Sequence, residues 1–202
     1  MTKTHRTALG AFALAAVSLL TAALAIAATT PINGTKGPDT LTGTDARDRI
    51  LAGPGNDTVD AKDGRDHVRG GRGDDTVEAG SGRDVVRAGL GDDIANGGPG
   101  NDLIYAQRGV DTVNGGQGND NLWALARKDV TRVVGEPADT VNGGEGNDRI
   151  HVRDGEPDTV TCGPGLDGVR ADRKDVVAAD CEVVKRRSVR KRDDRAENRD
   201  DD

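Results

Sequence analysis

A period of nine residues constrains the fold of this chain more than any other feature. Residues 34–123 divide into ten consecutive nonads without an insertion. A fixed short period predicts a repeat architecture in which each repeat packs mainly against its neighbours. Position six is Asp in every nonad: Asp39, Asp48, Asp57, Asp66, Asp75, Asp84, Asp93, Asp102, Asp111 and Asp120. Position eight is always aliphatic: Leu41, Ile50, Val59, Val68, Val77, Val86, Ala95, Ile104, Val113 and Leu122.

Each nonad predicts one turn followed by one short strand. Position one is Gly or Ala throughout and position four is Gly except at Ala46, and such small residues permit positive φ. Positions one to six are therefore predicted to turn, and positions seven to nine to form a strand whose position-eight side chain points inward. Two nonads complete one coil of about 18 residues, so ten nonads give about five coils with two short parallel sheets.

Composition alone favours a different conclusion. Beyond residue 28 the only aromatic residues are Tyr105 and Trp123, which excludes a core of large side chains. A chain with 29 Gly and 35 acidic residues is typical of disorder. The periodicity overrides that expectation.

Stacked turns bring the position-six carboxylates together. Asp57 is expected near Asp75, and Asp84 near Asp102, with turn carbonyl groups beside them. Hard anionic and carbonyl oxygens at this density suit calcium. Without a cation the carboxylates repel one another more than the single row of position-eight side chains can offset. Folding is therefore predicted to be coupled to calcium binding.

The motifs GGRGDD, GGPGND, GGQGND and GGEGND resemble the hemolysin-type (RTX) calcium-binding repeats of secreted proteins, and the C-terminal end resembles the terminal coil of actinobacterial examples. The resemblance covers residues 34–123 and, less regularly, 139–175. It implies an all-β fold, a right-handed parallel β-roll (β-solenoid), with several Ca²⁺ ions held between each turn and the turn two repeats on. Carried onto this sequence, the ligand residues are Asp57, Asp75, Asp84, Asp93, Asp102, Asp120, Gly53, Gly55, Gly71, Gly73, Gly80, Gly82, Gly89, Gly91, Gly98, Gly100, Gly116 and Gly118.

Some turns depart from this pattern. Ala46 replaces the position-four Gly, and Lys62 and Gln107 replace Gly at position two. Asn at position five, as at Asn56, Asn101 and Asn119, tolerates the left-handed backbone region. The less regular or more distant turns provide a second set of candidate ligands: Asp39, Asp48, Asp66, Asp111 and Asp148.

The two ends of the chain have their own signatures. Residues 1–28 carry early positive charge, an Ala/Leu-rich stretch and an Ala-x-Ala exit, which predicts a cleaved signal peptide, a secreted, extracellular protein and no membrane span afterwards. In an exported chain, Cys162 and Cys181 favour a disulfide over a metal site or free thiols. The predicted divisions are the signal peptide, an N-terminal β-roll at 29–123, an irregular loop at 124–138, C-terminal coils with the disulfide at 139–184, and a charged disordered tail at 185–202.

The two outward faces differ in chemistry. One is rich in Thr, whereas the other contains Arg69, Arg87, Tyr105 and Trp123. The loop at 124–138 is predicted to fold over the two aromatic residues and cap an open sheet edge, with a partner or glycan site as the alternative.

An enzyme is not expected, because no HExxH or Gly-x-Ser-x-Gly motif is present. Nucleic-acid binding is not expected either, since the repeat region is acidic. Two functions remain open: a calcium-stabilised structural or adhesive protein in contact with cell-surface polymer, and a soluble calcium module that binds a carbohydrate or another ligand. A toxin-associated accessory protein is a third alternative.

Overall fold

The computed structural model describes residues 31–124 and 138–186. The predicted signal peptide, the loop from 125 to 137 and the tail from 187 lie outside the described residues. Every regular element in the described part is a strand. Within it, no helix is long and apolar enough to cross a membrane. The strands are β1 (Ile32–Asn33), β2 (Thr40–Thr42), β3 (Arg49–Pro54), β4 (Thr58–Asp60), β5 (Asp63–Gly64), β6 (His67–Arg72), β7 (Thr76–Glu78), β8 (Ser81–Gly82), β9 (Val85–Leu90), β10 (Ile94–Pro99), β11 (Leu103–Arg108), β12 (Thr112–Gln117), β13 (Asn121–Trp123), β14 (Thr140–Glu145), β15 (Arg149–His151), β16 (Thr159–Thr161), β17 (Gly168–Ala171), β18 (Val176–Val177) and β19 (Val183–Arg186).

The chain alternates between two parallel sheets and so forms the predicted β-solenoid. The nine-stranded sheet has the order β1-β3-β6-β9-β11-β13-β15-β17-β19, and the eight-stranded sheet has the order β18-β16-β14-β12-β10-β7-β4-β2. Between β3 and β6 the register pairs Ile50 with Val68, a separation of 18 residues. The predicted coil of about 18 residues is confirmed.

Several strands are longer than the repeat suggests. The strand β6 contains positions seven to nine of one nonad and positions one to three of the next, as do β3 and β9. Glycines at positions one and two thus lie within strands rather than in the turn. The turn is confined to about positions four to six, which corrects the prediction that it begins at position one.

The core contains two rows of small side chains from each sheet. Position eight points inward as predicted, with Val59, Val77 and Ile104 fully buried. Position one is equally buried, as at Ala52 and Ala88. Position one was predicted to supply turn flexibility, but its small size instead lets the two sheets pack closely. The interior therefore has twice the number of apolar rows expected from position eight alone.

The solenoid continues across the irregular loop. The strand β13 pairs with β11 on one side and with β15 on the other. Thr112 in β12 pairs with Thr140 in β14, a separation of 28 residues. This coil is ten residues longer than the coil of 18, yet the register of the sheet is unchanged. Trp123 therefore does not lie at an open sheet edge, so the prediction of an edge there is wrong, and the loop that was predicted to cap it lies outside the described residues.

The C-terminal coils end in β19, which pairs with β17. Lys185 and Arg186 belong to β19, so this strand includes the first two residues of the predicted tail. The disulfide between Cys162 and Cys181 is present, with the Cα atoms 5.2 Å apart. Cys162 is fully buried at position one of its nonad.

Candidate metal centre

The glycines at positions two and four adopt the backbone conformation that the repeat requires. Gly98 at position two has a φ of 95° and Gly100 at position four has a φ of 158°. A Cβ atom at Gly100 would overlap the carbonyl oxygen of Gly82 in the preceding coil, so the stacking also demands glycine. The other predicted glycines share positive φ: Gly53, Gly55, Gly71, Gly73, Gly80, Gly82, Gly89, Gly91, Gly116 and Gly118.

The position-six carboxylates form two continuous columns along the solenoid. In each column, one carboxylate oxygen accepts a hydrogen bond from the backbone amide of the Asp one coil earlier. The Asp84 amide donates to Oδ1 of Asp102 at 2.8 Å, and the Asp102 amide donates to Oδ1 of Asp120 at 2.8 Å. The same bond joins Asp57 to Asp75 and Asp75 to Asp93, at 2.9 and 2.8 Å. The two pairs that the stacking of turns predicted, Asp57 with Asp75 and Asp84 with Asp102, are thus brought together.

The second oxygen of these carboxylates is buried and has no hydrogen-bond partner among the described residues. This holds for Oδ2 of Asp57, Asp66, Asp75, Asp84, Asp93, Asp102, Asp111, Asp120, Asp148, Asp158 and Asp167. A buried anionic oxygen without a partner is costly. A repeated set of such atoms is the arrangement expected of cation ligands.

Main-chain oxygens lie next to these free carboxylate oxygens. Oδ2 of Asp102 and the carbonyl oxygen of Gly115 both face the Cα atom of Gly97, where an added Cβ would overlap them. Oδ2 of Asp120 and the carbonyl oxygen of Gly143 are placed in the same way around position-one Gly115. The carbonyl group at position one is therefore a further candidate ligand, although the repeat did not single it out.

Burial changes the acidity of the columns. Removal from water raises the pKa of Asp93, Asp102 and Asp111 to about 7. Neighbouring carboxylates in the column add to the shift, whereas the hydrogen bond from a backbone amide opposes it. The pKa of Asp66, Asp75 and Asp120 rises to about 6 for the same leading reason. A carboxylate held ionised at neutral pH in this setting needs a compensating positive charge.

The irregular turns keep the same geometry. Lys62 and Gln107 adopt φ values of 76° and 92°, the conformation that Gly has in other nonads. The amides of Asp66 and Asp111 donate to Asp84 and Asp139 at 2.7 and 2.9 Å. A residue other than glycine at position two therefore strains the backbone just before the turn without displacing the carboxylate.

The columns extend beyond the predicted ligands. Asp139, Asp158 and Asp167 continue the two columns with amide-to-carboxylate bonds between 2.8 and 3.0 Å. Each has the recognisable context of an Asp two residues before an aliphatic position. That signal identifies these turns even though the spacing around them varies.

Asn at position five has a different role from the predicted one. Among the described non-Gly residues, only Lys62 and Gln107 have positive φ. The side-chain oxygen of Asn101 instead accepts a hydrogen bond from the amide of Asn119 at 2.6 Å, and Asn119 repeats this with Asn147 at 2.7 Å. Position five thus carries a hydrogen-bonded ladder on the exposed side of each turn column.

At the ends of the columns the protein supplies hydrogen-bond partners that the middle lacks, although Oδ1 of Asp48 is buried without a partner among the described residues. At the N-terminal end, Oδ2 of Asp48 accepts hydrogen bonds from the amide and hydroxyl of Thr44 at 2.6 and 2.9 Å. Asp39 makes the same pair of bonds with Thr35, at 2.5 and 3.0 Å. At the C-terminal end, Glu182 takes the place of Asp and accepts from the Asp167 amide at 2.8 Å.

One further cluster does not qualify as a metal site. Cys162, Cys181 and Asp180 bring potential ligand atoms close together, but the two sulfurs are bonded to each other. Oδ2 of Asp180 instead accepts from the Gly163 amide at 3.0 Å. The chemistry of this cluster is structural.

The fold and the two carboxylate columns define a parallel β-solenoid with cation-binding turns. The residues fit calcium, because the donor set consists of carboxylate and carbonyl oxygens and contains no sulfur or imidazole. The chain matches the family model for the RTX calcium-binding nonapeptide repeat (4 copies) at residues 33–68, 52–86, 60–95, 87–122 and 135–156. These matches cover more than half of the chain, and the protein belongs to this family. No curated protein matches the chain significantly.

Proposed function

We propose that this protein is a secreted β-roll that folds when calcium fills its turn columns, and that it serves a structural or adhesive role outside the cell. The observation that carries this proposal is the repeated buried Oδ2 atom without a hydrogen-bond partner. A metal-free solenoid would bury a line of mutually repelling carboxylates. A divalent cation between successive turns would satisfy each free oxygen and remove the repulsion.

The size of the core supports the coupling of folding to calcium. The interior is built of Ala, Val, Ile, Leu and the cystine, and no aromatic side chain of the described residues is fully buried. Small side chains provide limited apolar burial per residue. The repulsion within the carboxylate columns must therefore be removed before the whole solenoid is stable.

The cysteine pair favours an extracellular location, because disulfides persist in oxidising compartments. The described residues offer calcium turns and flat sheets, which suits a load-bearing or adhesive element. The alternative, a soluble calcium module for a carbohydrate, gains its support from the aromatic and arginine side chains of the nine-stranded sheet. Retention of the protein on cells only in the presence of calcium would favour the adhesive role.

Circular dichroism of the chain from residue 29 onward tests the calcium proposal. Addition of calcium at about 0.1 to 1 mM, the range of extracellular calcium modules, should produce β-structure. Magnesium at the same concentration should not, because it demands a small octahedral site and releases its water reluctantly. A calcium-free chain that already has the full β-signal would overturn the coupling of folding to calcium.

A pair of matched variants locates the binding groups. Asp84→Asn with Asp102→Asn removes two charges from position six while it preserves an oxygen for the amide of the preceding coil. Asp74→Asn with Asp92→Asn removes two exposed charges from position five, where Asn56 already occupies the equivalent place. The calcium concentration at which half of the protein is folded should rise strongly in the first variant and little in the second. Equal shifts would show that net charge, and not the column, governs the response.

A further inference from the structure

The two sheets present opposite charges to solvent. At the outward positions seven and nine, the nine-stranded sheet from β3 to β19 contains no Asp or Glu in the described residues. The outward positions of the eight-stranded sheet contain no Lys or Arg there and include Asp60 and Glu78. We call the outward surface of the nine-stranded sheet the basic face. Its Lys and Arg residues are Arg49, Arg69, Arg87, Arg149, Arg170 and Lys185.

The cations of the basic face are available to a partner. Arg49, Arg69, Arg149 and Arg170 are exposed. None of these four residues has a carboxylate within ion-pair distance among the described residues. Uncompensated guanidinium groups that share one surface attract polyanions.

Positive charge is concentrated around His67. Nη2 of Arg47 lies 3.3 Å from Nε2 of His67. Burial lowers the pKa of His67, and the nearby positive charges of Arg47, Arg87, Arg65 and Arg49 lower it further. Because an Arg side chain only donates hydrogen bonds, Nε2 of His67 is the acceptor for Arg47. The guanidinium groups supply the charge at this end of the face.

The acidic residues do not cancel this charge. The chain carries a formal charge of −7, but its position-six carboxylates are buried in the turn columns. Calcium in the columns would neutralise those carboxylates. The outward charge would then be set by the exposed side chains, and the basic face would be locally positive.

Aromatic rings occupy the middle of the basic face. The rings of Trp123 and His151 stack with centroids 3.8 Å apart, and Tyr105 lies 6.0 Å from Trp123. The guanidinium of Arg87 covers Tyr105 at 5.3 Å from the ring centroid. Because the rings cover one another, they do not form an open platform for stacked bases, which single-stranded nucleic acids require. All three rings are half-buried, so they do not protrude for insertion into a bilayer.

We propose that the basic face binds an extended anionic polysaccharide that runs along the solenoid axis. Arg69 and Arg170 lie five strand positions apart in the sheet, a distance of about 24 Å at the usual strand spacing. A row of this length spans several acidic sugars of a polymer and is too long for one small ligand. The proposal rests on the proposed function, because the face exists only in the folded solenoid.

Binding to heparin, with uncharged dextran as the control polymer, tests this proposal. The calcium-loaded protein should bind heparin with an affinity that falls as salt rises, and should not bind dextran. Arg49→Gln with Arg69→Gln should weaken heparin binding about three- to tenfold, since each exposed ion pair contributes little by itself. The matched control is Lys62→Gln with Arg173→Gln, which removes two positive charges outside the basic face. Gln107 already occupies the position equivalent to Lys62 with positive φ.

The control variant should bind heparin as the unaltered protein does, and circular dichroism should show the same calcium-induced fold in both variants. All chains retain residues 187–202, so the basic run there contributes equally. Equal heparin affinity of the two variants would overturn the proposal that the basic face binds the polymer, and it would leave the proposal of calcium-coupled folding intact. Tighter binding of poly(dT) or of phosphatidylserine vesicles than of heparin would also overturn it. Heparin binding that does not require calcium but is lost in the Arg variant would support binding by the basic face. The same result would contradict the coupling of folding to calcium.

Discussion

The middle and the ends of the turn columns use the same carboxylate in different ways. In the middle, Oδ1 of Asp102 accepts a hydrogen bond from the Asp84 amide, and its buried Oδ2 has no partner among the described residues. At the N-terminal end, Asp48 bonds the amide and hydroxyl of Thr44. At the other end, Glu182 and the disulfide hold the last coils. Protein groups thus bond carboxylate oxygens at the ends, whereas in the middle the corresponding oxygens are left free for a cation.

The largest expected effect is that of pH on the amount of folded structure in the calcium-free protein. Burial raises the folded-state pKa of Asp93, Asp102 and Asp111 from 3.8 to about 7. Raised pKa values mean that the folded state binds protons more tightly than the unfolded state. Their contribution to stability is therefore full below about pH 4 and is lost as pH rises towards 7. The calcium-free chain should show more β-structure by circular dichroism at pH 4.5 than at pH 8.

The calcium-loaded protein should respond in the opposite direction, because protons compete with calcium for the same oxygens. Titration at fixed calcium should give a midpoint that moves to higher calcium concentration as the pH falls. A calcium-free chain that gains structure as the pH rises would contradict the burial of these carboxylates.

Removal of the disulfide should destabilise one end of the solenoid. Cys162→Ala with Cys181→Ala opens a loop defined by a sequence separation of 19, which costs about 3 kcal/mol in the chain-entropy model. Alanine is a suitable replacement, since Ala52 and Ala88 fill the same core position. Hydrogen exchange should accelerate at the amides of Gly168 and Val183. Exchange at Thr76, far from the bond, should stay constant because coils contact mainly their neighbours.

Asp102→Asn should have opposite effects with and without calcium. The Asn side chain keeps an acceptor for the Asp84 amide but removes a buried negative charge. With calcium, denaturant unfolding should show a loss of about 2 kcal/mol. Without calcium, the same change should stabilise the chain. Asp39→Asn at the column end should lower stability by about 1 kcal/mol in both conditions, and a sign change there would contradict the distinction between middle and end.

The smallest expected effect comes from the threonine at the start of a column. Thr44→Val removes the hydroxyl that donates to Asp48 and should lower stability by about 1 kcal/mol. Thr58→Val, on the exposed face of the eight-stranded sheet, should change it by less than about 0.5 kcal/mol. Denaturant midpoints of the calcium-loaded proteins provide the comparison. Equal losses would show that the hydrogen bond from the Thr44 hydroxyl to Asp48 contributes no measurable stability.

Much of the fold follows from the repeat because a fixed register leaves one regular way to bury position eight. Asp at position six likewise indicated the turn columns, and the pairing of Asp57 with Asp75 and of Asp84 with Asp102 was predicted correctly. The sequence did not indicate that position one is a second core row or that its carbonyl group lies beside the free carboxylate oxygen. Both properties depend on where one coil lies relative to the next.

The sequence by itself determined the period, the inward direction of position eight and the kind of ligand atom, since these depend on side-chain chemistry at fixed spacing. The tertiary structure decided which oxygens remain free, how Thr44 and Glu182 complete the columns, and that Trp123 lies within a continuous sheet. It also placed six basic residues on one face without a carboxylate between them. These properties arise from contacts between residues that are 18 or more positions apart, which the local sequence does not encode.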